Sequence, residues 1–105
     1  MSWASAHVAK LQAGETVRFR PVGNSMKGRI ESGQLVTVAP LGEREPEVGE
    51  AVLCKVKGRQ FVHLVKDTRG GNFTMKQFLI GNNRGGINGW VLLDAIYGRV
   101  VRIEP

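Results

Sequence analysis

The sequence predicts a mostly β protein with one short helix at its start, and three observations carry that reading. Glycine occurs 14 times in 105 residues and divides the chain into apolar stretches too short for helices. From Thr16 onward the side chains alternate with a period of two, Val17 and Phe19 on one side and Arg18 and Arg20 on the other. Ala51 to Lys57 and Gln60 to Lys66 are two alternating runs separated by Gly58-Arg59, the pattern of a tight hairpin.

Taken in order, Ser5 to Gln12 holds good helix formers and Gly14 is placed to end a helix. A half-buried strand runs from Thr16 to Pro21, and Leu35 to Ala39 is a second, stopped by Pro40. A type II′ turn at Gly58-Arg59 sets Lys57 opposite Gln60, Val56 opposite Phe61, Cys54 opposite His63 and Val52 opposite Val65. One face of that ribbon then carries Val52, Cys54, Val56, Phe61, His63 and Val65, which puts His63 on the more apolar side. Strands are expected over Phe73 to Ile80 and Ile96 to Ile103, with Trp90 to Ala95 as a turn or short helical stretch. Leu41 to Val48 and Gly81 to Gly89 read as loops.

The length fits one domain over residues 1–105, a helical segment 1–14 followed by a β unit 15–105, and excludes a two-domain enzyme. The formal charge is +6, from 15 Lys+Arg against 9 Asp+Glu, which draws phosphates or acidic surfaces to the molecule. The single cysteine makes no internal disulfide, and neither a leader pattern nor an apolar run of roughly 18 residues is present. The expectation is a cytoplasmic protein with no membrane span. Asn72-Phe73-Thr74 matches the glycosylation acceptor pattern and is read as chance.

Ser25 lies after a strand in a turn flanked by Gly23 and Gly28, where a hydroxyl is exposed near main-chain N–H groups able to meet an oxyanion. Asn24 and Met26 are its neighbours in that turn. Serine beside glycine is also ordinary turn chemistry.

Gly23-Asn24-Ser25-Met26, then Gly33-Gln34-Leu35-Val36-Thr37-Val38, Val48-Gly49-Glu50-Ala51-Val52-Leu53, Phe61-Val62-His63-Leu64-Val65, Leu79-Ile80-Gly81-Asn82-Asn83 and Tyr97-Gly98-Arg99-Val100-Val101 follow one another along the chain. This ordered set resembles the LexA-type repressor and type I signal peptidase superfamily, over about residues 16 to 103. The resemblance implies a coiled, partly open antiparallel β barrel, with Ser25 as nucleophile and a later strand residue as its base. At the base position, lysine in most branches, stands His63, as in the endoplasmic-reticulum type of signal peptidase. A neutral imidazole takes a hydroxyl proton at neutral pH without the desolvation a lysine base needs. Lys66, three residues on, falls on the other face of the strand.

The sequence also departs from the family pattern. Gly28 stands where proline is common, Gln34 where the Gly-Asp pair has aspartate, and Leu64 where a basic residue follows the base. The acidic box that orients the imidazole reads Gly81-Asn82-Asn83, so Asn82, Asn83 or Asn88 is the candidate to hold the ring through a carbonyl oxygen. Asp67 and Asp94 are the remaining acids nearby. Ala13-Gly14 is similar to the bond that LexA-like proteins cut in themselves, but lies only 11 residues before Ser25 and is read as coincidence.

Two function classes follow. One is peptide-bond hydrolysis or self-processing by a Ser25-His63 dyad on a peptide or protein substrate. The other is a catalytically inactive member of the fold that binds a protein or nucleic acid, with His63 a core histidine and Ser25 a turn residue. Cys54 reads as packing, and Cys54, His63 and His7 lack zinc-finger spacing, so no metal or cofactor is expected. The loop 81–89 lacks the ending of a phosphate-binding loop. Basic residues gather at Arg18, Arg20, Lys27, Arg29, Lys55, Lys57, Arg59, Lys66 and Arg69, with Arg99 and Arg102 on the last strand. Few outward aromatics accompany them, Trp3, Trp90 and Tyr97 only, so support for nucleic-acid binding is weak. An exposed strand edge leaves self-pairing open and the oligomeric state undetermined.

Overall fold

A computed structural model describes residues 3–71 and 75–105 of the chain. The elements are α1 (Ser5–Gln12), β1 (Val17–Phe19), β2 (Leu35–Ala39), β3 (Ala51–Val56), β4 (Arg59–Arg69), β5 (Gln77–Gly81), β6 (Ile87–Leu92), a 3-10 turn (Leu93–Ala95) and β7 (Ile96–Glu104). The strands form one antiparallel sheet of seven in the order β1-β2-β7-β3-β4-β5-β6. β1 and β6 pair on one side only, so hydrogen bonding does not close the sheet into a barrel. No helix among the described residues is long and apolar enough to cross a membrane.

Two apolar clusters hold the sheet, one on each side of β3, whose Ala51, Val52, Leu53 and Cys54 are all buried. Leu53 packs with Val36, Val38, Leu64, Met26, Ile30 and the helix residue Leu11. Val52 and Cys54 pack with Val65, Phe78, Ile80 and Ile96. A strand buried on both faces needs the sheet to wrap around it, and β6 accordingly comes round against β3. A Cβ at Gly89 of β6 would stand 3.7 Å from Val56 Cγ1. The wrapping is helped by bulges, where the ladder skips Val101, Tyr97, Lys66 and Asn88 in turn.

The β3–β4 hairpin corrects the expected register. Lys57 (φ 50) and Gly58 (φ 82) both take left-handed values, the requirement of a type I′ turn, so the turn is centred on Lys57-Gly58 and not on Gly58-Arg59. Val56 therefore pairs with Arg59, Lys55 with Gln60, Cys54 with Phe61 and Val52 with His63. The slip relative to expectation is two residues, so the assignment of side chains to faces survives it.

Three further corrections follow. The Trp90 to Ala95 stretch belongs to β6 as far as Leu92, with helical geometry only at Leu93–Ala95. Within the 81–89 stretch only residues 82–86 form a loop, because Gly81 ends β5 and Ile87 begins β6. Arg99 is buried rather than part of a basic face: its guanidinium donates to the Arg44 carbonyl and lies 3.7 Å from Glu50 Oε2. The expected start of a strand at Phe73 and the pattern Asn72-Phe73-Thr74 lie outside the described residues, and of the expected strand Met75 and Lys76 precede β5, which begins at Gln77.

The turn geometry makes a direct prediction. A lysine in the left-handed region is unfavourable, whereas asparagine tolerates it, so Lys57→Asn should stabilise the protein by about 1 kcal/mol. Urea unfolding should show a higher midpoint for the variant; an unchanged or lower midpoint would contradict the I′ assignment.

Candidate functional site

The turn bearing Ser25 is pinned from below. Met26 and Ile30 are buried in the core, and the Met26 carbonyl accepts the amides of Arg29 (2.9 Å) and Ile30 (2.8 Å). At the rim, Gly23 N–H donates to Ser32 Oγ at 3.1 Å and Gly28 N–H to Glu31 Oε2 at 2.7 Å. Ser25 is left half-buried above the Met26 anchor, while Asn24 is exposed and its carbonyl accepts the Lys27 amide at 3.2 Å. The amides of Ser25 and Met26 donate to no acceptor among the described residues. Gly28 (φ 96) occupies a conformation proline cannot reach, which accounts for glycine at this position.

His63 lies in β4 opposite Val52, buried, with the Phe61 ring stacked on it at 4.6 Å between centroids. Residues i and i+2 of a strand share a face, so Phe61 is the neighbour that spacing alone provides. Asn88 reaches the ring from the other hairpin. The β5–β6 ladder pairs Gly81 with Ile87 and Ile80 with Gly89, leaving Asn88 as the extra residue of a bulge, a device that re-aims a side chain.

The resulting chain of contacts has a definite direction. Asn88 Oδ1 lies 2.6 Å from His63 Nδ1, and His63 Nε2 lies 3.1 Å from Ser25 Oγ. An amide oxygen only accepts, so Nδ1 carries the proton and Nε2 presents its lone pair to the hydroxyl, which donates. Burial pushes the imidazole below its ordinary value of 6.5, and the bond from Asn88 offsets part of that fall. The ring is therefore neutral at pH 7 and able to accept a proton.

Of the three candidate asparagines, the structure brings only Asn88 to the ring. Asn82 Oδ1 accepts the amides of Arg84 and Gly86, both at 2.8 Å, and so shapes its own loop. Asn83 instead grips the serine turn: its amide donates to the Ser25 carbonyl and its Nδ2 to the Lys27 carbonyl, both at 2.9 Å. A Cβ at Gly28 would lie 3.0 Å from that Nδ2, so glycine there also makes room for Asn83. No carboxylate hydrogen-bonds to the imidazole among the described residues; Asp67 accepts the Thr68 amide and Asp94 is exposed. Cys54 does not face His63. Its thiol is buried, points to the Phe61 carbonyl at 3.7 Å and is pushed up to about 12 by burial, so it is no thiolate nucleophile at neutral pH. Ala13-Gly14 forms the C-terminal cap of α1, its amides bonded to Ala9, Lys10 and Leu11 carbonyls, rather than an extended strand.

Ser25 and His63 open into a cleft of about 340 Å³, lined by Arg20 to Gly23 and by Arg59 to His63 of β4. β5 joins β4 only from Leu64 onward, so among the described residues this β4 wall has no strand paired on its outer edge. Sequence reasoning did not identify the cleft walls or the Asn83 clamp. Both depend on distant segments meeting, for which spacing along the chain gives no signal.

The chain matches no family model and no curated protein.

The lowered His63 value has a sign that can be tested. The unfolded chain binds the proton first on acidification, so the stability tied to a neutral ring is complete above about pH 6.5 and is lost as pH falls towards the folded value. Nuclear magnetic resonance should show His63 titrating below 6.5, and lower still in Asn88→Ala, because the lost bond favoured the protonated ring. Titration above 6.5, or a rise in Asn88→Ala, would contradict the described environment.

Proposed function

We propose that the chain is a serine peptidase-type hydrolase of the LexA and signal peptidase kind, in which Ser25 attacks a peptide carbonyl and His63 is the base. The observation that carries this reading is the directed chain Asn88–His63–Ser25, with distances of 2.6 and 3.1 Å, opening into a cleft. The ordered motif set read from the sequence supports the same conclusion, as does the mainly β antiparallel sheet.

The chemistry balances as an acyl transfer. Ser25 Oγ adds to the carbonyl carbon while Nε2 takes its proton, and the carbonyl oxygen becomes an oxyanion within reach of the turn, where the Ser25 and Met26 amides donate to no acceptor among the described residues. Collapse breaks the C–N bond as Nε2–H protonates the leaving amine. A water then attacks the acyl-serine, giving its proton to the same nitrogen, and serine and carboxylic acid are released. A substrate laid along the free edge of β4 gains main-chain hydrogen bonds beside the imidazole. Asn88 keeps the ring in the correct tautomer but, being uncharged, stabilises the imidazolium less than a carboxylate does. Cys54 needs no oxidising environment, and the proposed setting is the cytoplasm.

A fluorophosphonate probe should label Ser25 in the wild type and fail on Ser25→Ala and His63→Ala. Asn88→Ala should label about a hundredfold more slowly, because the ring loses its orientation. The labelling rate should rise with pH to a plateau, with an apparent pKa below 6.5. Wild-type protein that stays unlabelled while folded would reject the hydrolase and favour an inactive binding member of the fold.

A further inference from the structure

The walls of the cleft carry charge of one sign. Arg20 and Arg59 both line it, and among the described residues no acidic side chain does. Neither arginine has a carboxylate partner among the described residues, whereas Arg44, Lys76, Arg99 and Arg102 all do. Arg20 is held by its bond from Nη1 to the Gly33 carbonyl at 2.8 Å, and the Arg59 guanidinium lies 5.9 Å from the centre of the Phe61 ring. The same cleft reaches buried Met26, Ile30 and Val62.

Resting on the peptidase reading above, we infer that the cleft selects peptides with a carboxylate side chain close to an aliphatic one, Arg20 and Arg59 receiving the charge. A guanidinium offers a planar fork that matches a carboxylate, and uncompensated cations in a recess raise the local concentration of anions. The buried apolar residues suit a neighbouring aliphatic group, and a space of about 340 Å³ takes a few side chains. A nucleic-acid strand is favoured less, because Phe61 is already stacked on His63 and only Trp3 remains among the lining aromatics.

Binding can be measured without turnover in Ser25→Ala protein. Labelled alanine hexapeptides with one leucine and one Glu, or Gln in its place, would be walked through every position and read by fluorescence anisotropy. At the best position the Glu peptide should bind about threefold to tenfold more tightly than its Gln counterpart, and the gap should narrow in high salt. Arg59→Gln in the same background should shrink the preference and Arg59→Lys retain part of it, with thermal unfolding confirming that each is folded. Equal affinity for Glu and Gln peptides would overturn the inference. So would the absence of peptide binding, or tighter retention of a single-stranded oligonucleotide than of any peptide. The two readings fail separately: a Glu preference without probe labelling removes the hydrolase alone, and labelling without a Glu preference removes the charge selection alone.

Discussion

The hydrogen bond between His63 Nδ1 and Asn88 Oδ1, 2.6 Å long, fixes which ring nitrogen keeps its proton and therefore where the lone pair points. With a carbonyl oxygen as partner, Nδ1 has to donate, and Nε2 is left facing Ser25 Oγ. Burial then keeps the ring neutral. A core histidine satisfied on both nitrogens and a general base poised on a hydroxyl make the same contacts. The proposed general-base role rests on the space beyond, because the pair lines a cleft rather than a sealed interior.

One hairpin holds both halves of the pair. Asn88, in the bulge of β6, orients the imidazole, and Asn83, in the loop before it, binds the main chain of the serine turn. Ser25 and His63 are 38 residues apart in sequence, so a common support is what keeps their separation short. The same arrangement explains two departures from the resemblance. Glycine at 28 meets a left-handed backbone and gives Asn83 room, where proline would do neither. An uncharged box at 82–83 is tolerated because its asparagines serve the loop and the turn, not the ring.

The extent to which the molecule can be read from its sequence varies with the range of the interactions involved. Helix Ser5–Gln12 and strand Leu35–Ala39 have the expected bounds because Gly14 and Pro40 act locally on the backbone. The faces of the β3–β4 ribbon were legible for a similar reason, since side-chain parity survives a two-residue slip. The register was not, because it turns on Lys57 accepting a left-handed conformation that lysine disfavours. Three asparagines were equal candidates in sequence, and only a bulge that skips Asn88 distinguishes it. Arg99 looked like surface charge in an alternating strand, but segment 40–50 brings Glu50 and the Arg44 carbonyl to it, a long-range event without a local signature.

Charge and chemistry meet at the cleft, where cationic walls flank a neutral base and the described lining holds no acid that would protonate or compete with it. The hydrolase proposed for this surface presupposes one protonation state. Long-range proton–nitrogen correlation spectra of the His63 ring at pH 7 test it most directly. The account predicts a neutral ring with the proton on Nδ1 and an unprotonated Nε2 towards Ser25; a proton on Nε2, or an imidazolium at that pH, would contradict it.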